Sequence, residues 1–162
     1  MREKLWNLLD KTRYDYNFFQ EYRQHLERVR IAVVIITSAV SFVVVGLSTL
    51  LEVNGVIWGL LILASGVASL VFDKLMIADK LTALKYFIPE LNSRLDELQT
   101  EWINVNYLYE YEDDAIADIY NEISTAISRL TERYLDNLNF PDHKKSALRA
   151  SEITKHWAEY MP

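Results

Sequence analysis

The feature that most constrains this chain is an uncharged run of 21 residues, Ile31 to Leu51. Thirteen of these residues are Val, Ile, Leu or Phe. As an α-helix the run would be about 30 Å long, which matches the hydrocarbon core of a bilayer. Its insertion would gain roughly 4–8 kcal/mol. A helix that covers a globular core would instead show polar residues at a period of 3.6.

A second uncharged run follows from Val56 to Phe72, after a short stretch that contains Glu52 and the pair Asn54–Gly55. Asn and Gly favour a tight turn, and Glu52 can reach water there. The stretch could also be a turn inside a large buried core. The length of both runs favours a transmembrane hairpin over residues 31–72, and a cleaved signal peptide would be shorter.

Basic residues predict the orientation of this hairpin. They flank both outer ends and are absent from the turn (Arg23, Arg28, Arg30, Lys74, Lys80 and Lys85). The excess of Lys and Arg on one side places both termini in the cytoplasm.

Hydroxylated residues recur inside the two runs, and they give the first candidate site. The set is Thr37, Ser41 and Ser48 in the first run and Ser65 and Ser69 in the second. Small and hydroxylated residues let helices approach closely in lipid. Helix packing and the polar lining of a pore both remain open for this set.

The remainder of the chain is predicted to be helical as well. After the second run, apolar residues recur at spacings of 3 and 4 from Leu81 to Val105, the pattern of a coiled-coil or bundle seam. Pro89 lies inside this seam and predicts a kink or a new helix start. A further helix is expected over roughly 113–138. The predicted class is all-α, with an N-terminal amphipathic helix (1–30), the hairpin (31–72) and a helical sensor and oligomerisation domain (73–162).

The C-terminal helix gives the second candidate site. In a chain of net charge −6, it carries the one compact basic patch: His143, Lys144, Lys145, Arg149, Lys155 and His156. Basic residues near a helix start suit phosphate groups. Solvated charge, or pairing with the acidic helix before it, is the alternative. Ala150, Ile153, Trp157 and Tyr160 are expected to form the buried face of this helix.

Catalytic motifs are missing from the sequence. Cysteine is absent, all four glycines lie between residues 31 and 72, and the three histidines have no metal spacing. We therefore expect no enzyme activity and no cofactor.

The layout resembles the two-transmembrane effector domains of bacterial conflict systems called SLATT. A helix rich in aromatic and basic residues, "YNFFQEYRQHLERVR", precedes the hairpin, and the long helix "DKLTALKYFIPELNSRLDELQTEW" follows it. The layout is also similar to that of two-span membrane effectors of type III CRISPR systems. The resemblance implies an antiphage effector in the bacterial inner membrane, which oligomerises and perturbs or permeabilises that membrane when its cytoplasmic part senses a signal such as a cyclic oligonucleotide.

Two hypotheses follow from the sequence and this resemblance. The first is a signal-gated effector whose basic patches meet around a symmetry axis, for which two or four copies would suffice. The second is a membrane-anchored scaffold without a pore, which binds a protein partner through its helices. Duplex nucleic acid is not expected as a partner of either.

Overall fold

The computed structural model describes residues 1–50, Gly59, Leu63, Gly66 and 77–161, with only the backbone described for 40, 41 and 43–50. Every element in these ranges is helical. The elements are α1 (Arg2–Leu50), α2 (Ile77–Ile103), a π-helix (Asn104–Leu108), α3 (Asp113–Leu135) and α4 (Lys144–Tyr160). The all-helical part of the predicted class is therefore confirmed.

The chain divides into two compact units. Unit 1 contains residues 1–23 and 82–162, and unit 2 contains residues 24–81. Unit 1 is thus built from two segments that are far apart in the sequence. The predicted boundaries at 30 and 72 stay a prediction.

The core of unit 1 is the apolar seam of α2. Leu95, Leu98 and Val105 are completely buried in one cluster with residues of α1 and α3 (Leu5, Leu9, Ile116 and Ile123). Leu84, Ile88 and Leu91 are also buried. Since helices of the same chain cover the seam, its heptad spacing serves the fold of a single copy.

Aromatic side chains extend this core. Trp6 lies 5.0 Å from Trp102 and stacks nearly parallel on Trp157 at 6.0 Å, measured between ring centroids. Phe19 meets Phe87 edge-on at 5.1 Å. Such contacts stabilise a core beyond the area that they bury. The aromatic residues of "YDYNFF" therefore include side chains that pack within unit 1.

Helix α2 continues through Pro89 as one helix and ends in the π-helix. Proline has no N–H to donate to the preceding turn. Pro89 is exposed, so water can reach the backbone carbonyl that is left without a partner. The prediction of a new helix start at this residue is wrong.

Helix α4 meets the core with part of the predicted face, because Ala150 is completely buried and Trp157 packs against the core cluster. Ser146, Ala150 and Thr154 are buried, whereas Ile153 is 43% exposed and Tyr160 is 77% exposed. Small side chains let α4 approach closely, and the Asn17 amide donates a hydrogen bond of 2.9 Å to the hydroxyl of Thr154. This buried polar contact satisfies both groups, which a search for apolar periodicity does not detect.

The prediction of a transmembrane hairpin over 31–72 is wrong. Over the part of the chain that the structure describes, no helix has the length and apolar character needed to cross a membrane.

The predictions that depended on the hairpin are wrong with it. These are the two-span fold, the inner-membrane location with both termini in the cytoplasm, and the pore-forming activity. The turn with Glu52 and Asn54, and the second apolar run except for Gly59, Leu63 and Gly66, lie outside the described residues.

The buried seam generates a stability prediction. Replacing Leu98 by Ala should lower the free energy of unfolding by about 2–5 kcal/mol, because Leu98 is completely buried and the change leaves a cavity. The matched change of Leu148, which is exposed on α4, should cost less than about 0.5 kcal/mol. Chemical denaturation followed by helical circular dichroism measures both. Equal effects of the two changes would contradict the assignment of the seam to the core.

Candidate functional site

The six cations predicted as a ligand site all lie on or next to α4, but they do not converge. Lys144 and Lys155 project within about 20° of each other, whereas Arg149 and His156 point about 120–140° away from Lys144. Along the helix axis the distance from Lys144 to Lys155 is about 17 Å. Glu152 and Glu159 lie between the basic positions on the same exposed face. One copy therefore spreads these six cations around and along α4 and does not gather them at one point.

Three of the six side chains already have local partners. The ring nitrogen Nδ1 of His143 accepts a hydrogen bond of 3.2 Å from the backbone N–H of Ser146 and so caps the start of α4. Arg149 forms an ion pair with Glu21 of α1 at 3.1 Å. His156 lies 3.7 Å from the carboxylate of Glu159.

The remaining three are lysines. Lys144, Lys145 and Lys155 are exposed, and no carboxylate of the described residues lies within ion-pair distance of them. Of the predicted basic patch, these three lysines are therefore the cations that a ligand can reach.

The aromatic side chains of α4 differ in their availability. Trp157 is stacked on Trp6, and the guanidinium of Arg13 lies 5.3 Å from its ring centroid. Trp157 is therefore already in contact with two side chains of the chain itself. Tyr160 is exposed and meets His156 edge-on at 5.0 Å, so it is the aromatic ring of α4 that an external ligand can reach.

A second cluster of cations lies in a groove between α2 and α3, which we call the arginine groove. It consists of two adjoining cavities of about 470 and 200 Å³ that share Arg94, Ala126 and Arg129, and Arg133 lines the smaller one. Ile123 and Leu130 provide apolar wall.

The acidic groups of the arginine groove are partly engaged elsewhere. Glu97 pairs with Arg94 of its own helix at 2.7 Å. Glu90 accepts a hydrogen bond of 2.6 Å from the hydroxyl of Tyr134, and this bond raises the pKa of Tyr134 above its usual value. Among the described residues, no carboxylate lies within ion-pair distance of Arg129 or Arg133. Glu122 also lines the groove, and Arg133 hydrogen-bonds to Tyr134, so the lining holds three carboxylates beside its three guanidinium groups.

The sequence did not reveal the arginine groove, because Arg129 and Arg133 stand in a strongly acidic segment. The available signal was their spacing of four residues, which places both on one face of α3. The third member, Arg94, comes from another helix and could not be assigned to the same groove from spacing alone.

A polar groove of about 420 Å³ lies between α1 and α3, lined by Thr12, Asp15, Ser124 and Ser128 among others. Burial raises the pKa of Asp15, and the nearby charge of Lys11 opposes this effect. The groove places one desolvated carboxylate among hydroxyl groups. Within the described ranges, no group of three or more His, Asp or Glu residues is placed to hold a metal ion.

The hydroxylated set predicted for packing or a pore is described only in part. The hydroxyl of Thr37 donates to the backbone carbonyls of Val33 and Val34 at 2.9 and 3.0 Å, within its own helix. Ser41 and Ser48 lie in α1, but their side chains are outside the description, and Ser65 and Ser69 lie outside the described residues. The pore-lining role is not supported, since the predicted spans are wrong.

Unit 2 carries an exposed apolar stripe on α1. Ile31, Ile35 and Phe42 are spaced by four and seven residues and therefore lie on one helix face, with Val34 beside them. All four are more than half exposed, and Phe42 reaches 81%. Contiguous exposed apolar surface of this kind marks interaction sites. We call these four residues the α1 stripe.

Comparison of the chain with protein-family models, with curated proteins and with solved structures finds no match. The resemblance to two-span bacterial effectors therefore stays a prediction.

Proposed function

We propose that this protein is a non-catalytic helical scaffold that works by self-association through the α1 stripe. The observation that carries the proposal is the exposure of Ile31, Val34, Ile35 and Phe42 on one side of α1; Ile36, about 100° further around the helix from Ile35, is exposed as well. Leaving four large apolar side chains in water is unfavourable by roughly 25 cal/mol for each Å² that a partner could cover. A scaffold whose partner covers this face gains that free energy on assembly.

A second copy of the chain is the occupant that fits the stripe best. The stripe carries no charge, and no charged residue occurs from Ile31 to Leu51. Two such faces can therefore pack against each other without burying an unpaired charge, which would be costly. In a symmetric contact each apolar residue is buried twice, once on each subunit, because both subunits use the same patch.

The arrangement of unit 1 also supports a scaffold. Its seam is closed by helices of the same chain, so assembly does not have to complete the fold. Its surface carries the arginine groove between α2 and α3 and the polar groove between α1 and α3, and a partner could dock on either.

The α1 stripe generates a direct test. Changing Ile35→Glu together with Phe42→Glu should reduce the mass of the particle to that of one chain, because two copies would bring four buried carboxylates together. Sedimentation equilibrium measures the mass, and circular dichroism checks that the helix content is kept. The matched control is Leu148→Glu with Ile153→Glu, which places the same charges on exposed apolar positions of α4.

The control should keep the mass of the unchanged protein. An unchanged protein that is monomeric at every concentration would overturn the proposal. The same holds if both double variants reduce the mass equally, or if the unchanged protein is recovered with lipid vesicles in place of a defined oligomer.

A second candidate function is the sensing of a polyanionic ligand by α4. The observation that favours it is the exposure of Lys144, Lys145 and Lys155 without an ion pair among the described residues. The pair between Arg149 and Glu21 adds a contact that an anion could open by competing for the guanidinium. Several copies would have to bring their α4 basic residues together, since one copy spreads these charges over about 17 Å.

The test of this candidate uses a cyclic oligoadenylate as the probe. Lys144→Glu with Arg149→Glu should abolish its binding in calorimetry, and binding to the unchanged protein should weaken steeply with salt, as expected for phosphate contacts. The matched control is Arg2→Glu with Lys4→Glu, an equal change of charge at the exposed start of α1. Equal binding by all three proteins, or absence of binding to the unchanged protein, would exclude α4 as the sensor.

A further inference from the structure

The exposed side of α1 in unit 2 is the side opposite to the one that packs. Leu26 is buried, and Val33 and Thr37, which share its side of the helix, are half-buried. Ile31 and Phe42 lie about 160–180° around the helix from Val33. A second helix can therefore cover the exposed side without disturbing the packed one.

The residues of this exposed side follow the spacing of a two-stranded coiled coil. Arg28, Ile31, Ile35, Ser38 and Phe42 recur at intervals of 3, 4, 3 and 4 residues, and all five are exposed. Such spacing keeps one side of a helix against a partner helix over several turns. We call these five residues the α1 heptad.

Two copies of the α1 heptad can pair in two orientations, which bring different residues together. In a parallel pair each residue faces its own counterpart. In an antiparallel pair Phe42 faces the partner's Ile31, and Ile35 faces the partner's Ser38. Both of these pairs share one midpoint between residues 36 and 37, so a single two-fold axis produces all of them.

The volumes of the side chains favour the antiparallel pair. A parallel pair would place two Phe42 rings in one layer and two small Ser38 side chains in the layer before it. One layer would be crowded, and the other would leave a gap, which is costly in a packed contact. In the antiparallel pair every layer combines a larger with a smaller side chain, and such layers interdigitate evenly.

The charges of α1 favour the same orientation. Residues 23–30 hold three arginines and one glutamate, whereas no charged residue occurs from Ile31 to Leu51. A parallel pair would bring two basic ends together, with Arg28 facing its own counterpart. In the antiparallel pair each Arg28 faces the uncharged part of the partner helix beyond Phe42, and the opposed helix dipoles attract each other.

We propose that α1 helices of two copies pair in antiparallel orientation through the α1 heptad, about a two-fold axis between residues 36 and 37. The inference rests on the self-association proposed above and adds the geometry of the contact. Because both copies use the same surface, the contact is closed and ends at two chains. The two basic ends then lie at opposite ends of the contact.

Disulfide cross-linking tests the orientation, since the chain contains no cysteine of its own. Ile31→Cys and Phe42→Cys are made separately, one of them with a size tag, and are oxidised alone and as a mixture. The mixture should give a linked product with one chain of each kind. Each variant alone should not link, because identical positions lie about 16 Å apart along the axis and a disulfide spans less than about 7 Å between Cα atoms.

Two further variants control for weakened pairing and for random collision. Arg28→Cys leaves the apolar residues intact and should not link to itself, whereas a parallel pair would link it. Leu148→Cys, at an exposed position of α4, measures linking by collision and should stay at background. Sedimentation of every variant in reducing buffer shows whether the pair of chains is kept.

The outcomes separate the orientation from the self-association itself. An unchanged protein that sediments as one chain contradicts the self-association and the orientation with it. A pair of chains in which Ile31→Cys, Phe42→Cys and Arg28→Cys each link to themselves overturns the orientation alone. The same holds if the protein sediments as a pair but the mixture links no more than Leu148→Cys.

Discussion

The burial of the α2 seam is the interaction on which the rest of the structure depends. Leu95, Leu98 and Val105 form one cluster with Leu5 and Leu9, which lie about 90 positions earlier in the chain. This cluster is the reason that residues 1–23 and 82–162 form one unit. Because the apolar side chains of α2 are covered within the chain, surfaces other than the seam must mediate any association between copies.

Two kinds of surface remain for association. The α1 stripe is uncharged, whereas the arginine groove is lined by three arginines and three glutamates. The ion pairs and caps of α4 serve the fold first: His143 caps the helix and Arg149 ties it to Glu21 of α1. This division explains why a patch that looks basic in the sequence offers only part of its charge to a ligand.

The sequence predicted the helices and the apolar seam of α2, because heptad spacing records burial directly. It could not show whether the partner of the seam is the same chain or another copy, since both give the same spacing. Two residues of the buried face of α4, Ser146 and Thr154, were missed because they are polar by type; both are small, and Thr154 accepts a hydrogen bond from Asn17. Apolar length predicted a membrane hairpin that the described helices do not provide. The arginine groove depends on a contact between two helices that no local pattern records.

The central claim is that the seam closes within one chain while the α1 stripe joins different chains. Cross-linking of a mixture of light and heavy isotope-labelled protein tests it most directly, with photoreactive residues placed at Leu9 and, separately, at Ile35. The account predicts that cross-links from Leu9 to residues 91–105 always join residues of the same isotopic label, and that cross-links from Ile35 join light with heavy chains. Mixed-label products from Leu9, or only same-label products from Ile35, would contradict it.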